Sequence, residues 1–222
     1  VPQFTIMAEH LLKGKKGIIF GALNDQSIAW KTALQAHAQG AELVLTNAPV
    51  AMRMGEIHNL AKQVGDAPVI PADATSVEDL TNLFEQAMQH FGGQVDFVLH
   101  SIGMSPNVRK GKHYTDINYN WLSTTLDVSA ISLHKTLAVA KKMDGISEWG
   151  SVVALTYIAA QRIFPDYGDM ADAKSLLESI TRSFGYHYGV AKKVRVNTVS
   201  QSPTITTAGS GVKGFDEFIA YS

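Results

Sequence analysis

Three observations predict an α/β fold, with a doubly wound parallel sheet in a three-layer α/β/α arrangement that forms a single domain over residues 1–222. Short apolar runs alternate with longer segments of helical period, the pattern of repeated βαβ units whose sheet is covered on both faces. The 222 residues are 45% hydrophobic and 18% charged, a balance suited to one globular unit that buries roughly 70% of its unfolded-chain surface. No composition shift, charge block or proline-rich linker divides the chain.

Six apolar runs are the expected strands: Gly17–Gly21, Ala41–Thr46, Pro68–Pro71, Val95–Leu99, Ser151–Leu155 and Val194–Val199. Between them, Ser27–Gln39, Val77–Phe91, Trp121–Met143 and Met170–Tyr188 are long enough for helices. In the second of these, Val77, Leu80, Leu83, Phe84, Ala87 and Met88 recur at intervals of mostly three and four, which places them on one sheet-facing stripe. Gly103–Tyr114 and Ser200–Gly214 are polar, rich in glycine, serine and threonine, and each follows an expected strand. Ligands of open α/β sheets bind outside the carboxyl ends of the strands, so function is expected in these two loops.

Composition removes several function classes. A formal net charge of -1 is unlike the basic excess of a nucleic-acid binder. With no cysteine, the chain has no thiol catalysis, cysteine-ligated metal or disulfide, and it suits a reducing compartment. No apolar run approaches the length of a membrane span, and no signal peptide is visible. Met7 is the expected native start, with Val1 to Ile6 an added leader. The eight histidines form no H-x-x-x-H or H-E-x-x-H pair, so no metal site is expected.

The first strand runs into Gly21, then Ala22-Leu23-Asn24-Asp25-Gln26, and Ser27-Ile28-Ala29 opens a helix. A glycine there lets the backbone pass close to a pyrophosphate, and a helix N-terminus offers N–H groups and a positive dipole end. This Rossmann-type cradle lacks the later glycines of G-x-G-x-x-G, and a plain turn with Ser27 as N-cap would look the same. Further along, Asp73 and the N–H of Ala74 can hold an adenine edge, and Ser101-Ile102-Gly103 lets a ribose approach. Thr46-Asn47-Ala48 carries no acid to repel a 2′-phosphate, which leaves NADH against NADPH open; Arg53 is expected to be a solvated helix residue.

The densest chemistry follows the fifth run, from Thr156 to Lys174. Tyr167 and Lys174 are seven apart, two turns of one expected helix. A lysine can bind ribose hydroxyls, and its charge would favour an ionised or polarised tyrosine beside it.

These features together resemble the bacterial enoyl-acyl-carrier-protein reductases, a divergent branch of the short-chain dehydrogenase/reductase superfamily. The resemblance rests on Tyr167-x6-Lys174, Tyr157 ten residues upstream, the Gly21-x5-Ser27-Ile28-Ala29 turn and His100-Ser101-Ile102-Gly103. It continues through Val194-Arg195-Val196-Asn197 and Ser202-Pro203 to Gly211-Val212-Lys213. It implies reduction of the C=C bond of a trans-2-enoyl thioester with NADH, in the cytoplasm, by a homotetramer whose substrate is borne on acyl carrier protein. It implies that Tyr167 hydrogen-bonds the thioester carbonyl, that Lys174 holds the nicotinamide ribose, and that Tyr157 serves protonation or positioning. It implies cofactor contacts at Gly21, Ser27, Ile28, Ala48, Asp73, Ala74, Ser101, Ile102, Gly103, Lys174 and the stretch Thr204, Ile205, Thr206, Thr207 and Ala208. Met104, Ser105 and Met170 are the implied substrate contacts beside the two tyrosines. Gly168 and Ala171 depart from the family's usual asparagine and glycine. The family continues past the helix beginning near Gly214, so its last strand and helix are expected to be missing here.

Ser175, Tyr188 and Lys192 also match the superfamily's Ser-x12-Tyr-x3-Lys pattern for carbonyl reduction. That match is a decoy, because Ser175 falls inside the expected helix rather than at a strand end; Tyr188 is expected on the helix surface and Lys192 in the following turn. Thirteen residues before Tyr167 stands Ala154, so the preferred tyrosine lacks a serine partner. His100 is expected to be a hydrogen-bonded structural residue, and Asp169 and Asp172 helix N-terminal charges. Two rival functions are a ketoacyl reductase of the same superfamily and a non-catalytic NAD(P)-binding regulator.

Overall fold

The computed structural model describes residues 10–53 and 56–201. Its centre is a five-stranded parallel sheet built from β1 (Lys16–Phe20), β2 (Glu42–Thr46), β3 (Val95–His100), β4 (Ile146–Thr156) and β5 (Arg195–Ser200), in the order β2-β1-β3-β4-β5. Alternate residues of each strand enter opposite layers, as a period of two requires. Ile18, Phe20, Val98, Val152 and Val196 pack on one side, and Ile19, Leu43, Leu45 and Leu99 on the other.

The helices are α1 (Ile28–Ala38), α2 (Pro49–Met52), α3 (Glu56–Ala61), α4 (Val77–Phe91), α5 (Pro106–Arg109), α6 (Tyr119–Leu126), α7 (Ser132–Lys142) and α8 (Met170–Lys192). Ala29, Trp30, Ala33 and Ala36 of α1 and Ile57 and Leu60 of α3 cover the second side. Leu80, Leu83, Phe84 and Ala87 of α4, Leu133 and Leu137 of α7 and Leu177 and Ile180 of α8 cover the first. The expected three layers are therefore present.

The helix α4 has the expected bounds because both ends carry strong signals. The Ser76 side chain accepts from the Asp79 N–H, and Gly92 closes the helix in the left-handed region at φ 66°. One member of the stripe is misplaced: Val77, in the first turn, is 55% exposed.

Two other expectations are corrected. Pro68–Pro71 is not a strand but a single parallel bridge, Leu45 to Val69. The Leu45 N–H donates to the Pro68 carbonyl and the Ile70 N–H to the Leu45 carbonyl, but a proline at each end supplies no N–H to extend the ladder. Trp121–Met143 is not one regular helix, since a π-helical turn over Asp127–Ile131 separates α6 from α7. Among the described residues, no helix is long and apolar enough to cross a membrane.

Candidate active site

The carboxyl ends of β1, β2 and β3 meet around a crevice lined by Phe20, Asn47, Ala48, Ala72, Asp73, Ala74, Thr75, Ile102 and Val128. Four expected cofactor positions, Ala48, Asp73, Ala74 and Ile102, thus face one space. Phe20, Asn47, Ala72, Thr75 and Val128 line it without having been singled out; only the placement of Asn47 at the end of β2 could have marked one of them. Asn47 donates from Nδ2 to the Ala22 carbonyl at 2.9 Å and accepts the Ala48 N–H at 2.8 Å, fixing the two turns that form the rim. Asp73 accepts from the Thr75 N–H at 2.9 Å and the Thr75 hydroxyl at 2.7 Å, which shapes the turn around Ala74.

Gly21 is required by its surroundings. Its φ is +94°, and a Cβ there would lie 2.0 Å from the Ser101 carbonyl oxygen, so only glycine lets the ends of β1 and β3 approach. Ser27 occupies the N-cap position of α1 without making a side-chain cap. Its hydroxyl instead donates to the Asn24 carbonyl at 2.6 Å and accepts the Leu23 N–H at 3.2 Å, holding the loop closed over the start of the helix at Ile28. The first turn of such a helix presents N–H groups without intrahelical acceptors, suited to an anion.

A second group of side chains lies beyond β4. Tyr157 follows that strand directly, and its ring centroid is 4.9 Å from that of Tyr167 and 5.3 Å from that of Phe164. Tyr167 is not on the long helix, contrary to expectation: it ends a 3₁₀ turn over Pro165–Tyr167, and Gly168 at φ 52° breaks the chain direction before α8 begins. Lys174 is on α8, 7% exposed, and its Nζ donates to the Leu155 carbonyl at 2.7 Å. A Cβ on Gly103 would lie 3.3 Å from Met170 Cε and 3.7 Å from Lys174 Nζ, so the missing side chain leaves β3's exit directly against both.

Burial controls the charges here. Lys174 is lowered to about 8 by burial. Burial first, then the neighbouring Tyr157, pushes the Tyr167 hydroxyl well above the ordinary phenol range, and burial raises Tyr157 as well. The expected polarisation of Tyr167 toward ionisation is therefore reversed: it is held as a protonated donor. His100 is fully buried and lowered to about 3, by burial and then by Lys174, with Nε2 2.8 Å from the Ser132 hydroxyl. It is a neutral structural group.

The loop after β3 carries the remaining candidates. Met104 and Ser129 pair closely, the Met104 N–H donating to Ser129 Oγ at 2.9 Å, and Ser129 Oγ also lies 3.6 Å from Met170 Sδ. Ser105 is buried, caps α5 by accepting the Val108 N–H at 3.0 Å, and donates to Asp169 Oδ1 at 2.6 Å. Thr204, Ile205, Thr206, Thr207 and Ala208 lie outside the described residues. The decoy serine, tyrosine and lysine sit along α8 itself: the Ser175 hydroxyl lies 2.8 Å from the Ala160 carbonyl oxygen and 3.0 Å from that of Ala171, Tyr188 is 1% exposed rather than on the surface, and Lys192 ends the helix paired with Asp144.

The family model described as enoyl-(acyl carrier protein) reductase matches residues 21–222. The chain belongs to that family. A Rickettsia bellii relative named enoyl-[acyl-carrier-protein] reductase [NADH] FabI is 34% identical over 214 residues, 96% of this chain and 79% of its own length. The crystal structure of the FabI–NADH complex from Alistipes finegoldii is 65% identical, with a TM-score of 0.94 over 96% of this chain and 75% of that one. A Bacillus cereus enoyl-acyl carrier protein reductase, solved with NADP+ and an indole naphthyridinone, is 30% identical with a TM-score of 0.87, covering 95% and 81%. The crevice at β1–β3 and the tyrosine–lysine group beyond β4 adjoin through Ile102, which lines the crevice, and Gly103, which lies against Lys174.

Proposed function

We infer that the protein reduces the C=C bond of trans-2-enoyl thioesters with NADH, acting on substrates carried by acyl carrier protein. The observation that supports this most is the grouping of Tyr157, Tyr167 and Lys174 with Ala154 on β4, where a carbonyl-reducing arrangement would need a serine. The crevice lies where a dinucleotide would bind: Gly21 lets the ends of β1 and β3 approach beside it, and Ala48, Asp73, Ala74 and Ile102 line it. The relatives' bracketed NADH designation favours that cofactor over NADPH. When bound, the nicotinamide supplies a hydride to C3 of the enoyl chain.

Tyr167 donates a hydrogen bond to the thioester carbonyl oxygen, where negative charge grows as the enolate forms. Its raised pKa keeps the proton on the phenol, so it stabilises that charge by hydrogen bonding. Tyr157 packs against it and fixes the ring. Lys174, anchored on Leu155, offers its remaining donors to the ribose hydroxyls beside Gly103. Ser27 holds the loop over the pyrophosphate-binding turn, with the N–H groups near Ile28 as donors. Ser101 and the Thr204–Ala208 stretch complete the cofactor contacts; Met104, Ser105 and Met170 border the acyl chain. C2 takes its proton from solvent. We further propose a cytoplasmic homotetramer.

Absorbance at the reduced-nicotinamide band, followed with NADH or NADPH against matched crotonyl and acetoacetyl thioesters, tests this reading. NADH should be oxidised with the crotonyl thioester alone. Oxidation with the acetoacetyl thioester alone would make the protein a ketoacyl reductase, and cofactor binding without turnover would make it a regulator.

A further inference from the structure

The N-cap position of α8 carries a carboxylate that the reaction does not use. Asp169 is fully buried, 0% exposed, and lies between Tyr167 and Met170 in sequence. Its Oδ1 accepts from the Ser105 hydroxyl at 2.6 Å, and its Oδ2 accepts from Asn107 Nδ2 at 2.8 Å and from the Thr125 hydroxyl at 3.0 Å. These donors come from the loop after β3 and from α6, 44 to 64 residues away in the chain. Hydrogen bonds to a buried charge are stronger than neutral ones, and removing the acceptor would strand the Ser105 hydroxyl and one Asn107 N–H, while the Thr125 hydroxyl would keep the Trp121 carbonyl at 2.9 Å.

The clamp extends along the segment from 103 to 118. Asn107 is itself fully buried and accepts the Asn118 N–H at 2.9 Å while donating to the Asn118 carbonyl at 3.1 Å. Val108 packs so close to Gly168 that a Cβ there would lie 3.2 Å from Val108 Cγ2. On the outside, the Tyr114 hydroxyl is 3.2 Å from each oxygen of Asp172, three residues along the same helix.

We propose that Asp169 is a positioning residue for the enoyl substrate: by clamping the 103–118 segment onto the turn between Tyr167 and Met170, it sets the spacing of Met104, Tyr167 and Met170 around the acyl chain. The role in substrate placement rests on the reductase reading above; the clamp itself does not. The cofactor crevice at Ala48, Asp73 and Ala74 shares none of these bonds, and the bonds begin at Ser105, past Gly103, so the larger effect falls on the thioester and the smaller on the dinucleotide.

The test compares Asp169→Ala, Asp169→Asn and Thr125→Val with the unaltered protein. Amide hydrogen exchange across 103–118 reads the clamp without reference to activity. Steady-state KM for crotonyl thioester and the NADH dissociation constant, by fluorescence, read its consequence. In Asp169→Ala, exchange across 103–118 should quicken and the crotonyl KM rise about tenfold, while NADH affinity stays within about twofold. Asp169→Asn should restore part of both, because its Oδ1 can take the Asn107 and Thr125 bonds, while its Nδ2 can only reverse the Ser105 bond and leaves the Ser105 proton without its acceptor. Thr125→Val removes one donor and leaves none stranded, so it carries the same test, with a smaller KM rise, if Asp169→Ala does not fold. Unchanged exchange across 103–118, NADH affinity falling in step with the KM, or an asparagine variant as impaired as the alanine one would each overturn the proposal. Faster exchange in a protein that never reduces crotonyl thioester would overturn the substrate role together with the functional reading, and would support the clamp alone.

Discussion

Replacing Tyr167 with phenylalanine is expected to lower kcat for enoyl-thioester reduction by about a hundred- to a thousandfold, the loss typical of removing one donor to a developing oxyanion. The substitution keeps the ring and its 4.9 Å packing against Tyr157, so the fold and the NADH affinity should be retained. Because the donor acts on charge that exists only in the transition state, KM should move far less than kcat. The pH profile adds a second check. Burial, and then Tyr157, raises the Tyr167 pKa above that of an ordinary phenol. Activity of the unaltered enzyme should therefore not fall through loss of this proton at pH values up to about 10, where a free tyrosine would be half ionised.

Lys174→Met is expected to separate function from stability. Lys174 is almost fully buried and its pKa is lowered to about 8 from an ordinary 10.5. For a base whose folded pKa lies below its unfolded one, the charged form is the disfavoured one in the fold. The penalty, on the order of 3 kcal/mol, is therefore fully present below about pH 8 and fades as pH rises toward 10.5. The ligand-free methionine variant should show a higher Tm at pH 7 and lack the gain in stability that the unaltered protein shows between those pH values. Its NADH dissociation constant should rise by about tenfold or more, since the two donors that Leu155 leaves free are lost to the ribose. Calorimetry and fluorescence titration check the two halves separately. A destabilised variant that binds NADH normally would assign Lys174 to the core alone.

The legible parts of the molecule were those carried by local signals. The bounds of α4 follow from Ser76, the apolar stripe and Gly92, all within one short segment. The turn after β1 is legible in the same way, through Gly21 and Ser27, although the side chain of Ser27 ties the loop rather than the helix. What failed depended on partners far along the chain or on small backbone choices. Gly168 takes a positive φ that lifts Tyr167 off the helix, and seven-residue spacing carries no sign of that. The π-helical turn at Asp127–Ile131 contains neither proline nor glycine. Asp169 looks like an ordinary helix-dipole charge until Ser105, Asn107 and Thr125 are seen around it. Tyr188 falls at a position that α8 turns inward, which the decoy spacing could not reveal.

In the proposed reaction a hydride from NADH joins C3 of the enoyl chain and a solvent proton joins C2. It is tested most directly by turning over crotonyl thioester with NADH deuterated at the transferable C4 position and locating the label in the butyryl product by NMR. Deuterium is expected at C3 and, in heavy water with unlabelled NADH, at C2. Label from the cofactor at C2, or a butyryl product carrying none of it, would contradict it.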